Sequence, residues 1–152
     1  MTEIKVIGVI GAGQMGGGIA QVAAQAGYTV RLMDANSAAL EHGVASIAKG
    51  LDRLVGKGKL ADGDREAAIA RVLPTASIAG LSECDFVLEA ATENLEIKLK
   101  IFEELDGTLR EGAILASNTS SISLTKIAGS ARRPEQVIGM HFFNPVPMMK
   151  LV

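Results

Sequence analysis

Apolar and polar positions fall in blocks that mark strand and helix in turn. Val6, Ile7, Val9 and Ile10 make a short apolar run with the length of one buried strand. Gly11-Ala12-Gly13-Gln14-Met15-Gly16 interrupts it, and Ile19, Ala20, Val22, Ala23, Ala24 and Ala26 then read as a helix that is small and apolar where it meets a sheet. Gly27 stops that helix, Tyr28 to Met33 forms a second strand, and Asp34 ends it. Ser37 opens a capped helix in which Leu40, Val44, Ile47, Leu51 and Leu54 recur at helical spacing to about Val55. Gly56-Lys57-Gly58-Lys59 breaks it, and a shorter helix from about Asp64 to Val72 completes a helical hairpin. Pro74 closes the hairpin, and Thr75 to Ala79 reads as a weak strand. Phe86 to Ala91 is the next buried strand. A helix follows with Leu95, Leu99, Phe102, Leu105 and Leu109 on one face. Ile114 to Ala116 is a strand that runs into Ser117-Asn118-Thr119-Ser120-Ser121, and a short helix spans about Leu124 to Gly129. Val137 to Met140 is the last strand, leading to His141-Phe142-Phe143-Asn144-Pro145.

This alternation predicts an α/β fold: a doubly wound, mostly parallel sheet with helices on both faces and a helical hairpin as an insertion. Ligands in such sheets bind outside the carboxyl ends of the strands. Four polar clusters fall at such ends: Asp34, Thr92-Glu93-Asn94, Ser117 to Ser121, and His141 to Asn144.

Composition narrows the function. A chain of 152 residues is most simply one domain, 1–152, and buries about 70% of its unfolded surface. The net charge of −2 is spread without blocks of like charge, so nucleic acid and membrane surfaces are not expected partners. The single cysteine, Cys84, excludes an internal disulfide and suits a reducing compartment. It reads as a small core residue. The N-terminus lacks the regions of a signal peptide and no run of about 18 apolar residues exists, so the expected location is cytoplasmic. No Cys/His set has zinc spacing.

The opening stretch carries the first specific chemistry. Strand, Gly-x-Gly-x-x-Gly, helix, strand and terminal acid, in that order, predict a Rossmann-type dinucleotide site. Gly11 permits the tight turn, Gly13 admits a pyrophosphate to the backbone, and Gly16 lets helix and sheet approach. The N–H groups of Ala12, Gln14 and Met15 belong to the same cradle, at a helix N-terminus with partial positive charge. Asp34 suits ribose hydroxyls and repels a 2′-phosphate, and Ala35-Asn36-Ser37 offers no base, so NAD is expected over NADP. His42 reads as a surface residue. By position alone His141 reads equally as a satisfied wall histidine or as a general base, since an imidazole with a pKa near ~6.5 takes a proton at neutral pH. In the second case Ser120 or Asn144 would orient the substrate oxygen or the nicotinamide. Lys57 and Lys59, by spacing alone, read more simply as a solvated tip than as a phosphate contact.

Four segments make a resemblance specific: GAGQMGGGIAQVAAQAGYTVRLMD, LEAATENLEIKLKIFEEL, ASNTSSIS and GMHFFNPVPMMKLV. Together they resemble the NAD-binding domain of the L-3-hydroxyacyl-CoA dehydrogenase family, which includes bacterial 3-hydroxybutyryl-CoA dehydrogenases. The resemblance implies oxidation of the 3-hydroxyl of an acyl-CoA to a ketone, with NAD accepting hydride. It implies His141 as the base and Ser120 in contact with both substrate and nicotinamide. It places Asp34 on the adenine ribose, and Glu93, Lys98 and Asn144 on the cofactor. Lys57 stands where the family has a CoA-binding lysine. The family also places a glutamate directly after the Leu-Val pair matched by Leu151-Val152, paired with the catalytic histidine. A second, helical domain then supplies dimer contacts. The expectation is therefore a portion of a longer, homodimeric enzyme, without that second domain, that binds NAD and turns over little by itself. Two other readings remain: a non-catalytic NAD-binding protein on the same fold, and a methyltransferase, against which the complete glycine motif and HFFNPVP both argue.

Overall fold

The computed structural model describes residues 3–152. β1 (Val6–Ile10), β2 (Thr29–Met33), β3 (Val72–Thr75), β4 (Phe86–Glu89), β5 (Ile114–Ser117) and β6 (Val137–Gly139) form one sheet in the order β3-β2-β1-β4-β5-β6, parallel throughout. Period-two alternation sends the strand side chains to two cores. Val9, Leu32, Leu88 and Ala116 face α1 (Gln14–Gln25), α2 (Ser37–Gly56) and α3 (Asp62–Ala70). Ile10, Met33, Val87 and Leu115 face α4 (Leu95–Thr108) and α5 (Leu124–Ala128), where Phe102, Leu105 and Ile127 are fully buried. The doubly wound expectation therefore holds, and α2 with α3 is the helical hairpin.

The strand register positions the site. Met33, Ile10, Glu89, Ser117 and Gly139 stand in one row across the sheet. Four of the five accept a hydrogen bond from the start of a neighbouring loop: Gly11 N–H donates to Met33, Ala90 to Ile10, Asn118 to Glu89 and Met140 to Ser117, at 2.8–3.0 Å. The loops after the strands thus begin level with one another.

Several boundaries differ from the sequence expectation. α1 starts at Gln14, inside the glycine motif. A Cβ on Gly16 would collide with the Gly11 carbonyl oxygen, so this glycine serves helix–turn contact. Gly11 itself has φ 98°, and a Cβ there would lie 2.7 Å from the Ala90 carbonyl oxygen. The weak strand expected at Thr75 to Ala79 lies earlier, at Val72–Thr75, and contains Pro74. β3 is an edge strand, where a residue without N–H is tolerated. Ile78–Leu81 is a 3₁₀ turn. Asn36, and not Ser37, caps α2: its side-chain oxygen accepts from Ala39 N–H at 3.0 Å. The opposite sheet edge, β6, pairs only with β5 among the described residues and leaves Ile138 half exposed.

Cys84 is fully buried in the second core, as expected. Burial pushes its thiol up to about 11, although Arg31 and Arg110, distant in sequence, pull the other way.

Candidate functional site

The chain winds outward from β1 to β3 on one side and from β4 to β6 on the other, so the topological switch point lies between β1 and β4. The glycine turn closes this crevice from one side. Ala12 N–H donates to Asp34 Oδ2 at 2.9 Å, and Asn36 N–H to Oδ1 at 2.9 Å, so the carboxylate ties the turn to the start of α2. A carboxylate has about four acceptor positions, which leaves room for ribose hydroxyls. A Cβ on Gly13 would meet nothing within 4 Å, and α1 has no side-chain cap. The N–H groups of Gln14 and Met15 have no backbone acceptor among the described residues. Open space at Gly13, free first-turn donors and a half-buried acid together fit a pyrophosphate and its ribose.

The far wall is built from the loops after β4, β5 and β6. Glu93 accepts from the Thr119 hydroxyl at 2.7 Å and from Ser120 N–H at 3.3 Å, bridging two loops. Partial burial works against its charge. The Thr119 hydroxyl, the Ser120 N–H, Lys98 and His141 outweigh that and hold the carboxyl below its ordinary range. Ser120 is exposed, and its hydroxyl has no partner among the described residues. His141 Nδ1 lies 3.2 Å from the Asn118 carbonyl oxygen. A carbonyl only accepts, so Nδ1 carries the proton, and in the neutral ring the acceptor is Nε2. Phe143 stands edge-on to the ring at 5.3 Å, and Asn118 Oδ1 accepts from Phe142 N–H at 2.8 Å, fixing the segment from both sides. Asn144 is exposed and precedes Pro145 through a cis peptide bond.

Lys98, expected at the cofactor surface, lies elsewhere. It is 1% exposed and its ammonium pairs with Glu89, itself fully buried, with Ser117 Oγ at 3.3 Å from Lys98. Glu89 Oε1 accepts from Ala91 N–H at 2.8 Å and from Thr92 N–H at 3.2 Å. Lys98 thus acts beneath the crevice, through Glu89, because α4 points this side chain inward. Sequence reading missed Glu89 as a site-building residue, and placed Ser117 and Asn118 only within a polar cluster at a strand end. An acid within the apolar run FVLEAA was the available signal for Glu89.

A second concavity, a cleft of about 470 Å³, runs from Gly13 and Asn144 along α1 and α2 to Lys57. Lys57 is exposed at the C-terminal end of α2. His42 is exposed as expected and lines the same cleft. Among the described residues no group of His, Cys, Asp and Glu could hold a metal ion, and no helix is long and apolar enough to cross a membrane.

Fold and crevice define a Rossmann-type dinucleotide-binding domain. The chain belongs to the family described as 3-hydroxyacyl-CoA dehydrogenase, NAD binding domain, which matches residues 6–152, and the cofactor of that family is NAD. It is 48% identical over 149 residues to a 3-hydroxybutyryl-CoA dehydrogenase of Bradyrhizobium diazoefficiens, covering 98% of this chain and 51% of that protein. It is 50% identical over 145 residues to a probable 3-hydroxybutyryl-CoA dehydrogenase of Deinococcus radiodurans, covering 95% and 52%. The crystal structure of (S)-3-hydroxybutyryl-CoA dehydrogenase from Ralstonia eutropha superposes with a TM-score of 0.94 at 49% identity, over 97% of this chain and 52% of that one. The chain thus spans about half the length of the curated relatives it matches.

Proposed function

We propose that this domain is part of an enzyme that oxidises (S)-3-hydroxyacyl-CoA thioesters, such as 3-hydroxybutyryl-CoA, to 3-oxoacyl-CoA. Bound NAD supplies the hydride acceptor. The turn from Gly11 to Gly16 and the first-turn N–H groups of α1 hold the pyrophosphate. Asp34 holds the adenine ribose, while Glu93 and Asn144 hold the nicotinamide end. Lys98 serves that end indirectly by bracing Glu89. His141 takes the hydroxyl proton at Nε2, and the exposed Ser120 hydroxyl orients the substrate oxygen. Lys57 meets the CoA moiety at the remote end of the α1–α2 cleft. The longer enzyme is a homodimer assembled through residues beyond this chain, working in the cytoplasm.

One observation carries this reading. The Asn118 carbonyl favours the tautomer whose neutral ring offers Nε2 as base, at the same carboxyl end of the sheet as the glycine turn. The test follows NADH absorbance with 3-hydroxybutyryl-CoA and the longer protein. His141→Gln should lower kcat by about 10²–10⁴-fold while NADH binding, read by calorimetry, stays close to wild type. A wild-type protein that binds NADH and oxidises no hydroxyacyl-CoA would instead support a non-catalytic NAD-binding role. Unchanged turnover in His141→Gln would remove the base.

A further inference from the structure

A hydroxyl carries one proton and two acceptor positions. At Thr119 all three are taken. Ser121 N–H and Ile122 N–H donate to its Oγ1 at 3.3 and 3.0 Å, in the turn that a threonine side chain makes with the main chain just ahead of it. Both partners can only donate, so the hydroxyl proton has a single outlet. It goes to Oε2 of Glu93, 2.7 Å away on the loop after β4. That length belongs to a bond to an ionised carboxylate. Partial burial works against the charge of Glu93. The Thr119 hydroxyl leads the groups that outweigh it, ahead of the Ser120 N–H, Lys98 of α4 and His141 beyond β6.

The main chain of Thr119 is held as well. Its N–H donates to Ser117 Oγ at 3.3 Å, and that oxygen lies against the buried Lys98–Glu89 pair. Asn118, one residue before, holds His141 through its carbonyl and Phe142 through its side chain. Ser120, one residue after, gives its N–H to Glu93 Oε1 at 3.3 Å, a long bond, and its hydroxyl has no partner among the described residues. Glu93, Ser120 and His141 thus come from three separate loops, and all three are tied to the segment Asn118 to Ser120. The hold on Glu93 runs mainly through the Thr119 hydroxyl, the shorter of its two bonds.

We propose that Thr119 is a positioning residue: its hydroxyl aims the Glu93 carboxylate at the nicotinamide end of the cofactor and keeps it in fixed relation to the Ser120 hydroxyl, which meets the substrate oxygen. The inference rests on the hydroxyacyl-CoA reading above. Thr119 acts here through Glu93. A carboxylate has about four acceptor positions, so those not spent on Thr119 and Ser120 remain for hydrogens of the cofactor. A Glu93 that swings away misplaces cofactor and substrate relative to each other, and such misplacement costs rate more than binding.

The test compares Thr119→Val, which keeps the shape and removes the hydroxyl, with Thr119→Ser, which keeps the hydroxyl. In the isotope-labelled chain, NMR should show the Glu93 carboxyl titrating at higher pH in Thr119→Val than in wild type, and near the wild-type position in Thr119→Ser. NADH binding, read by calorimetry, should weaken about three- to tenfold in Thr119→Val, and hardly further when Thr119→Val is added to Glu93→Ala. In the longer protein, Thr119→Val should lower kcat about tenfold with the KM for 3-hydroxybutyryl-CoA within about twofold of wild type, and Thr119→Ser should keep most of the rate. A threonine that only stiffened its loop would lower the melting temperature and leave the Glu93 titration unmoved, and that result would overturn the proposal. Additive losses of NADH binding in Thr119→Val and Glu93→Ala, or a Thr119→Ser protein that behaves as Thr119→Val, would overturn it too. A wild-type longer protein that oxidised no hydroxyacyl-CoA would strike the function reading instead, while the titration and the NADH comparison still decide whether Thr119 governs Glu93.

Discussion

Removing the Glu89 carboxylate should cost more stability than any surface change in this chain, and the reason lies in what it leaves behind. Glu89→Leu strands the Lys98 ammonium at 1% exposure with only Ser117 Oγ, at 3.3 Å, for company. Breaking a buried pair from one side costs about 3–5 kcal/mol. Ala91 and Thr92 N–H also lose their acceptor, but Ala91 is exposed and Thr92 half-buried, so water replaces most of that loss. For a chain of this size the expected fall in melting temperature is about 6–20 °C. Lys98→Met should cost less, about 2–3 kcal/mol, because Glu89 keeps donors from Ala91, Thr92 and Ser117. The double variant Glu89→Leu/Lys98→Met removes both charges and should recover most of the loss. Urea unfolding of the four proteins at neutral pH gives the coupling energy directly. Additive single costs, or a Glu89→Leu protein within about 1 kcal/mol of wild type, would show that the pair is not an energetic unit.

The other expectations are simpler. Asp34→Ala should weaken NADH binding by about tenfold and relax discrimination against NADPH, as measured by calorimetry with each cofactor. Unchanged preference would take Asp34 out of that role. The Glu93 carboxyl is held below its ordinary 4.5, so the folded state binds fewer protons than the unfolded state as pH falls through that region. The bridge to Thr119 and Ser120 should be complete above the ordinary glutamate range and fade only as pH drops through the depressed folded value. The Ser120 amide shift reports this, and a midpoint at or above 4.5 would contradict the geometry.

Long-range order was readable from the chain because periodicity and the glycine motif are local signals. Val9, Leu32, Leu88 and Ala116 announce buried strands by their neighbours alone. What escaped depends on contacts between distant segments. Pro74 looks like a strand breaker until the strand proves to be at the sheet edge. Gly16 reads as the close-packing glycine, but not as part of a helix that already begins at Gln14 and presses against the turn at Gly11. Lys98 lies on the inward side of α4, where only the position of Glu89 makes a buried ammonium tolerable. The tautomer of His141 was equally hidden, since its partner is a main-chain oxygen 23 residues away.

The two margins of the sheet are unequal in a way that bears on association. Pro74 gives one margin a residue that cannot donate, and so blunts it as a template for another strand. The opposite margin carries no such guard at Val137–Gly139, and Ile138 is half open to solvent beside it. Among the described residues the flank nearest His141 is thus the one whose outward row of main-chain groups is uninterrupted by proline.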